Sequence, residues 1–144
     1  MVKIVSACLL GIKCKYNGKS NFNEKVFDLY KKDILIPVCP EVFAGLGVPR
    51  EEIYLTTDGF DVIIGKGKIL TKSGKDVTEK VLKAVKFIAN LCKKLGVKEA
   101  ILKQKSPSCG CGKTYINGEL KEGYGVLAAM LIQKGVKVVT EENL

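Results

Sequence analysis

The sequence of 144 residues contains no histidine. This absence excludes catalysis by a histidine acid or base, Ser-His and Cys-His nucleophiles, and zinc sites with mixed cysteine and histidine ligands. Arg50 is the only arginine, so nearly all of the formal net charge of +9 comes from lysine. Because arginine is the usual bidentate reader of phosphate and guanine, this bias argues against nucleic-acid binding. The simplest explanation of the lysines is a solvated surface, and the second is attraction of an anionic substrate.

The sequence also lacks any segment typical of a membrane or exported protein. The apolar start at Met1 reaches Lys13 and Lys15 too soon for a membrane span, and no Ala-x-Ala cleavage site follows. We therefore expect a cytoplasmic protein without a membrane partner, whose thiols stay reduced. The six cysteines then indicate metal binding or catalysis rather than disulfides.

The hydrophobic pattern predicts an α/β fold. Apolar runs predict four strands that pair in parallel: Lys3–Cys8, Ile34–Val38, Ala100–Leu102 and Val136–Val139. Periodic segments predict three helices and a short helical turn: Glu24 to Lys32 after an Asn23 cap, Asp76 to Gly96, Tyr124 to Gln133, and the turn Val42–Leu46. A hairpin is predicted from Phe60–Ile64 and Lys68–Thr71. We expect a single Rossmann-like or flavodoxin-like domain over residues 1–144, with a mostly parallel sheet and a small β-hairpin insertion.

Three cysteines follow predicted strands, at or just beyond their carboxyl ends. Cys8 and Cys39 each end an apolar run, and Cys109 lies in the Pro- and Gly-containing run Lys105–Gly112 after the third strand. Ligands of open α/β sheets bind at this edge, so we expect the three thiols to converge. Converging thiolates suit an iron–sulfur cluster or zinc. A [4Fe-4S] cluster held by three thiolates leaves one iron open for substrate, whereas four ligands close the site.

The other three cysteines have less definite roles. Cys92 shares the apolar stripe of the long helix with Ile88 and Leu95, so we interpret it as a small core residue. Cys14 and Cys111 each lie near a candidate ligand. Either could replace that ligand, complete a four-thiolate zinc site or be a free thiol. Two cysteines separated by two residues occur nowhere, which disfavours zinc.

Polar residues accompany the candidate ligands. Glu41 follows Cys39 by two residues, and Ser106 and Ser108 precede Cys109. With histidine absent, a carboxylate is the natural general base, although Glu41 has an equally good explanation as a cap of the following turn. The two serines are also ordinary turn residues.

The segments around these cysteines resemble the thiouracil desulfurase (TudS-like) family over nearly the whole chain. The similar motifs are Val5–Gly11 with Cys14, Tyr16, Asn17 and Gly18; Val38–Glu41 with Gly45 and Pro49–Glu51; Gly74–Thr78; and Leu102–Lys103 with Ser106–Gly110. The resemblance implies an oxygen-sensitive [4Fe-4S] cluster with one open iron site, bound by Cys8, Cys39 and Cys109. It also implies catalytic or substrate-positioning roles for Glu41 and Ser106.

The hypothesis that follows is a non-redox hydrolysis of a small-molecule thiolated pyrimidine, a thiouracil-type base or nucleotide. The open iron would polarise the thiocarbonyl sulfur, Glu41 would deprotonate water, and Ser106 would hold the base or donate to the leaving sulfur. Hydrosulfide would be released. Two departures from the family pattern stand out: a cysteine at position 111, and divergent or shortened stretches at Ile53–Gly59 and Lys113–Gly123, which bear on substrate identity.

Two alternatives belong to other classes of protein. A zinc-binding structural module would use Cys14, Cys109, Cys111 and one further thiolate. An RNA-binding protein would use the surplus of lysine to bind thiolated tRNA.

Overall fold

The computed structural model describes all residues from Met1 to Leu144. Its eight strands are β1 Val2–Ser6, β2 Ile34–Val38, β3 Ile53–Leu55, β4 Ile69–Thr71, β5 Glu99–Leu102, β6 Cys111–Ile116, β7 Glu119–Tyr124 and β8 Lys137–Thr140. Its five α-helices are α1 Glu24–Phe27, α2 Pro40–Phe43, α3 Gly59–Ile63, α4 Thr78–Leu95 and α5 Val126–Gln133. The strands form two four-stranded sheets.

The first sheet has the strand order β2-β1-β5-β8, and every pairing in it is parallel. This result confirms the predicted α/β fold with a mostly parallel sheet. The central strands are buried on both faces, as expected for a parallel sheet with helices on each side. Ile4 packs into the larger core with α4 and α5, whereas Val5 and Ile101 pack into a smaller cluster with Val26 of α1.

The register of the first sheet brings three strand ends together. Ser6 pairs with Val38, and Val5 pairs with Ile101, so β1, β2 and β5 end at nearly the same level. The chain leaves β1 toward β2 on one side and later returns to β5 on the other. The reversal of strand order therefore lies between β1 and β5, the position where open α/β sheets form a ligand crevice.

The long helix agrees with its predicted boundaries. The Asp76 carboxylate accepts a hydrogen bond from the Thr78 amide at 2.9 Å, and Gly96 ends the helix with a φ of 66°. Ile88 and Cys92 are buried on the predicted stripe, which confirms Cys92 as a core residue. Leu95, at the end of the stripe, is 49% exposed.

The second sheet has the order β4-β3-β6-β7 and corrects the predicted hairpin. The segment predicted as the first hairpin strand, Phe60–Ile64, forms helix α3, because the Asp58 side chain caps it by accepting from the Phe60 amide at 3.1 Å. Strand β4 pairs instead with β3. Asn117 and Gly118, a residue pair typical of tight hairpin turns, join β6 and β7.

Three boundaries also differ from the sequence prediction. The first helix keeps its Asn23 cap but turns into a 3-10 helix at Asp28–Lys31. Tyr124 belongs to β7 rather than to the last helix. Cys8 lies in a 3-10 turn, Ala7–Leu10, just beyond β1 instead of in the strand. None of the helices has the length and apolar character required to cross a bilayer.

Substitutions in α4 test whether its inner face anchors the core. Ile88 has no exposed surface, so we expect Ile88→Ala to lower the free energy of unfolding by about 2–5 kcal/mol. Leu95→Ala, on the same helix but half exposed, is the matched control and should cost less than about 1 kcal/mol. Urea denaturation followed by circular dichroism measures both values, and equal losses would contradict the assigned burial.

Candidate active site

A cavity of about 870 Å³ opens at the carboxyl edge of the first sheet. The three strand-end cysteines, Cys8, Cys39 and Cys109, all line it, and so does Cys14. Cys111, the other cysteine of the glycine-rich loop, is absent from its walls. All six cysteines are free thiols. The fold thus gathers four of the six thiols from three separate segments of the chain.

Cys14 lies beside both Cys8 and Cys39. The Cys39 sulfur is 3.9 Å from the carbonyl oxygen of Cys14. The Cys14 thiol hydrogen stabilises the neighbouring thiolates, which lowers the pKa of Cys39 to about 7 and also lowers the pKa of Cys8. The amide of Val42 further lowers the Cys39 pKa, and Asn21 donates to the Cys8 sulfur at 3.6 Å. The same contacts raise the pKa of Cys14, which favours its neutral thiol form.

Cys109 occupies a different electrostatic environment. It is almost completely buried, and burial raises the pKa of its thiol to about 12. Ser108 donates a hydrogen bond to its sulfur at 3.7 Å. Ser106 accepts from the amides of Ser108 and Cys109, both at 3.3 Å, so it serves as the turn residue that shapes the loop. Ionisation of Cys109 therefore requires a positive centre next to its sulfur.

Close backbone packing fixes the position of the cysteine loop. The Leu127 amide at the start of α5 donates to the Ser108 carbonyl at 2.7 Å, and the Gly125 amide donates to Gly110 at 2.8 Å. A Cβ atom at Gly125 would lie 2.5 Å from the Ser108 carbonyl carbon. A Cβ at Gly110 would lie 2.3 Å from the Lys113 carbonyl oxygen. Both glycines are required by these approaches, which hold the Cys109 loop against α5.

Gln104 clamps the other end of the loop, and sequence analysis missed it. Its side-chain oxygen accepts from the Cys111 amide and its side-chain nitrogen donates to the Cys111 carbonyl, both at 2.8 Å. The backbone amide of Gln104 donates to the Glu141 carboxylate at 2.7 Å. Cys111 is thereby fixed as the first residue of β6. No sequence signal marks Gln104, because its side chain binds only backbone groups.

Glu41 lines the cavity and forms an ion pair with Arg50. The Arg50 side chain is only 4% exposed, and it also donates to the Gly47 carbonyl at 3.0 Å. One carboxylate oxygen of Glu41 is bound by Arg50, and the other has no hydrogen-bond partner in the chain. The capping explanation is not supported, since no side-chain cap bond occurs in α2. The sequence itself marks Arg50, since it is the only arginine in a lysine-rich chain.

The donor set fits a cluster better than a single metal ion. No three Cys, His, Asp or Glu side chains are positioned to bind one metal ion, as a structural zinc would require. A cluster presents its irons at separate corners, so its thiolates need not converge on one point. The thiol donors around this cavity are the ligand type that iron–sulfur clusters use. The zinc set that includes Cys111 is also disfavoured, because Cys111 lies outside the cavity.

Comparisons with known proteins show the family to which the chain belongs. The model of the 2-thiouracil desulfurase family matches residues 4–143. The chain is 40% identical to the uncharacterized protein YbbK of Bacillus subtilis (strain 168), covering 98% of this chain and 96% of that protein. A solved structure, the [4Fe-4S]-dependent thiouracil desulfidase TudS, superposes with a TM-score of 0.84 at 34% identity, covering 98% of this chain and 91% of that one.

An α/β fold with four thiols at the carboxyl edge of its parallel sheet defines a thiol-lined enzyme site. The chain belongs to the 2-thiouracil desulfurase family. The resemblance noted from the sequence motifs is therefore confirmed.

The close approach at Gly125 generates a test of loop packing. Gly125 has an extended backbone that any residue can adopt, so Gly125→Ala tests steric contact alone. We expect it to lower the free energy of unfolding by about 3 kcal/mol, because the methyl group would displace the Ser108–Cys109 backbone. The control is Gly65→Ala, where φ is 85° and no atom lies within 4 Å; backbone strain alone should cost about 1–2 kcal/mol. Denaturant titration measures the free energy of unfolding of both variants. A larger loss in Gly65→Ala than in Gly125→Ala would contradict the packing argument.

Proposed function

We propose that this protein removes sulfur from a thiolated pyrimidine by hydrolysis and releases hydrosulfide. The observation that carries the proposal is the convergence of three strand-end thiols on one cavity, in a chain of the 2-thiouracil desulfurase family. The reaction balances without a redox partner: water supplies the oxygen that replaces sulfur on the ring carbon, and its hydrogens leave with hydrogen sulfide or as a proton.

Cys8, Cys39 and Cys109 would hold a [4Fe-4S] cluster in this cavity. When bound with one iron open, the cluster would supply a Lewis acid for the thiocarbonyl sulfur. The lowered pKa values of Cys8 and Cys39 favour thiolate ligands there, whereas the buried Cys109 thiol would lose its proton only on binding a cation. Cys14, a neutral thiol beside two of these ligands, would stay outside the ligand set and leave the substrate position free.

Glu41 would act as the general base. Arg50 orients its carboxylate by binding one oxygen, and the second oxygen faces no partner within the chain. That oxygen would take a proton from the water molecule that attacks the ring carbon. This role explains why a buried arginine is paired with a carboxylate at the cavity wall, an arrangement that has a desolvation cost.

Ser106 would assist from the cysteine loop. Its oxygen accepts two backbone amides, and its hydroxyl hydrogen is free to point to Ser108, 3.1 Å away, or into the cavity that it lines. Donation into the cavity would stabilise the departing sulfur. The structural contacts position the hydroxyl, so the turn role and the catalytic role are compatible.

The cavity supports a substrate of pyrimidine size or larger. Its volume of about 870 Å³ exceeds that needed by a single pyrimidine ring and leaves room for an attached group. Among its lining residues, the basic side chains (Lys15, Lys72, Lys103, Lys105 and Arg50) outnumber the acidic ones (Glu41, Glu51 and Glu52). This positive wall favours an anionic substrate, either an ionised thiouracil or a nucleotide that carries it.

Iron content tests the proposed ligands directly. We expect Cys8→Ala, Cys39→Ala and Cys109→Ala, purified without oxygen, to lose iron and acid-labile sulfide, because each removes one of three ligands. Cys92→Ala, in the core, and Cys111→Ser, outside the cavity, are the matched controls and should keep both. The ligand assignment would be contradicted if Cys8→Ala kept its iron while Cys92→Ala lost it. It would also be contradicted if Cys111→Ser lost iron and Cys109→Ala kept it.

The role of Glu41 predicts a loss of turnover without loss of iron. Glu41→Gln keeps the size of the side chain but cannot take a proton, so hydrosulfide release from 2-thiouracil should fall by about 10²–10⁴-fold. Glu79→Gln changes an exposed carboxylate of α4 that lies outside the cavity and should leave the rate within about threefold. Iron content is measured on both variants. Near-normal turnover of Glu41→Gln with a full complement of iron would return Glu41 to a structural role.

A further inference from the structure

Two tyrosines of the second sheet line the same cavity as the cysteines. Tyr54 belongs to β3 and Tyr115 to β6, so they reach the cavity from a different sheet from the one that delivers Cys8 and Cys39. Neither residue belongs to the set of candidate ligands or to the proposed acid–base groups. Because they line the cavity without belonging to either set, they are candidates to contact a bound ligand.

The strand register places the two tyrosines at neighbouring positions on one face of the sheet. Leu55 and Ile116 are paired partners in the parallel β3–β6 ladder, and both are buried. Tyr54 and Tyr115 immediately precede these partners, so they are adjacent and point to the opposite face of the sheet. The burial pattern agrees, because Tyr54 is half-buried and Tyr115 is 41% exposed. The face that points away from the core therefore carries an aromatic pair.

No hydrogen bond or aromatic contact accounts for this pair. The hydroxyl groups of Tyr54 and Tyr115 form no hydrogen bond within the chain, and neither ring packs against another aromatic ring. Tyr124 of the neighbouring strand is a useful contrast, since it packs edge-on against Phe60 with ring centroids 5.1 Å apart. Because Tyr54 and Tyr115 both line the cavity, their side chains can contact a ligand there.

We propose that Tyr54 and Tyr115 form the surface on which the planar ring of the substrate stacks, and that they determine substrate specificity. This inference rests on the proposed function, because the class of ligand is the heteroaromatic ring whose sulfur is removed. An aromatic side chain can stack on any planar ring, whichever polar groups the ring carries. Stacking therefore orients the ring without taking part in the reaction.

A stacking surface affects binding more than the chemical step. Removing it weakens binding of substrate and product alike, which raises KM and leaves kcat nearly unchanged. This split distinguishes the pair from Glu41, whose substitution should lower kcat. It also distinguishes stacking from a merely structural role, which would change stability rather than ligand affinity.

The test uses the cluster-containing protein with 2-thiouracil as substrate and uracil as a non-reacting probe. Tyr54→Val and Tyr115→Val keep strand-forming residues but remove the rings. We expect each to raise KM for 2-thiouracil and Kd for uracil by about 5- to 100-fold, with kcat within about twofold. Phe at either position keeps the π face and should restore affinity to within about threefold. Tyr30→Val is the matched control, since Tyr30 is 44% exposed and lies outside the cavity.

A second measurement covers the case in which a Val variant does not fold. The chain contains no tryptophan, so Tyr115→Trp introduces a single indole reporter that also keeps a π face. Binding of uracil should change the tryptophan fluorescence of Tyr115→Trp and leave the fluorescence of Tyr30→Trp unchanged.

The outcomes separate the two proposals. The stacking proposal alone would be overturned if the wild-type protein turns over substrate but the folded Val variants keep its KM and Kd. Emission of Tyr115→Trp that uracil does not alter would overturn it in the same way. A fall in kcat with unchanged KM would also overturn it. If the wild type neither binds uracil nor releases hydrosulfide, the proposed function fails together with this inference.

Discussion

The parallel pairing of β1 with both β2 and β5 is the constraint on which the site depends. Because Ser6 is level with Val38 and Val5 with Ile101, the residues that follow each strand emerge at one edge. Cys8 and Cys39 reach the cavity directly from these ends. A one-residue slip of β2 would reverse the faces of its side chains and move its cysteine away from the others. Leu35 packs into the smaller cluster and Val38 into the larger core, so such a slip would remove both from their contacts, and this burial fixes the spacing of the thiols.

The third cysteine depends on a different device. The loop that carries Cys109 is held between α5, which approaches through Gly125, and Gln104, which binds the backbone of Cys111. Backbone contacts of this kind are insensitive to side-chain identity along most of the loop. They decide which of two cysteines separated by one glycine faces the cavity. Buried Cys109 then depends on a cationic centre for its ionisation, whereas Cys39 ionises with help from its neighbours.

Charge in the cavity is organised by partly buried ion pairs. Arg50 binds Glu41, and Lys103 binds Glu141 at 2.9 Å on the other side of the cysteine loop. Such pairs contribute little net stability, because desolvation offsets their attraction, but removing one partner leaves an uncompensated charge. Their value here is geometric: they fix the direction of a carboxylate and tie the carboxyl-terminal turn to the cavity wall. Exposed lysines at the rim add a positive field without a fixed geometry.

Hydrophobic periodicity in the sequence was sufficient to predict the parallel strands, the long helix and the convergence of three strand-end cysteines, because local burial patterns specify these elements. It failed at Phe60–Ile64, where alternation imitates a strand while the Asp58 cap and contact with α5 favour a helix. Tertiary structure alone decided the rest: the exclusion of Cys111 from the cavity, the ion pair of Glu41, and the aromatic face at Tyr115. Each of these depends on contacts between segments distant in sequence, and a linear pattern carries no information about which distant backbone or side chain will be adjacent.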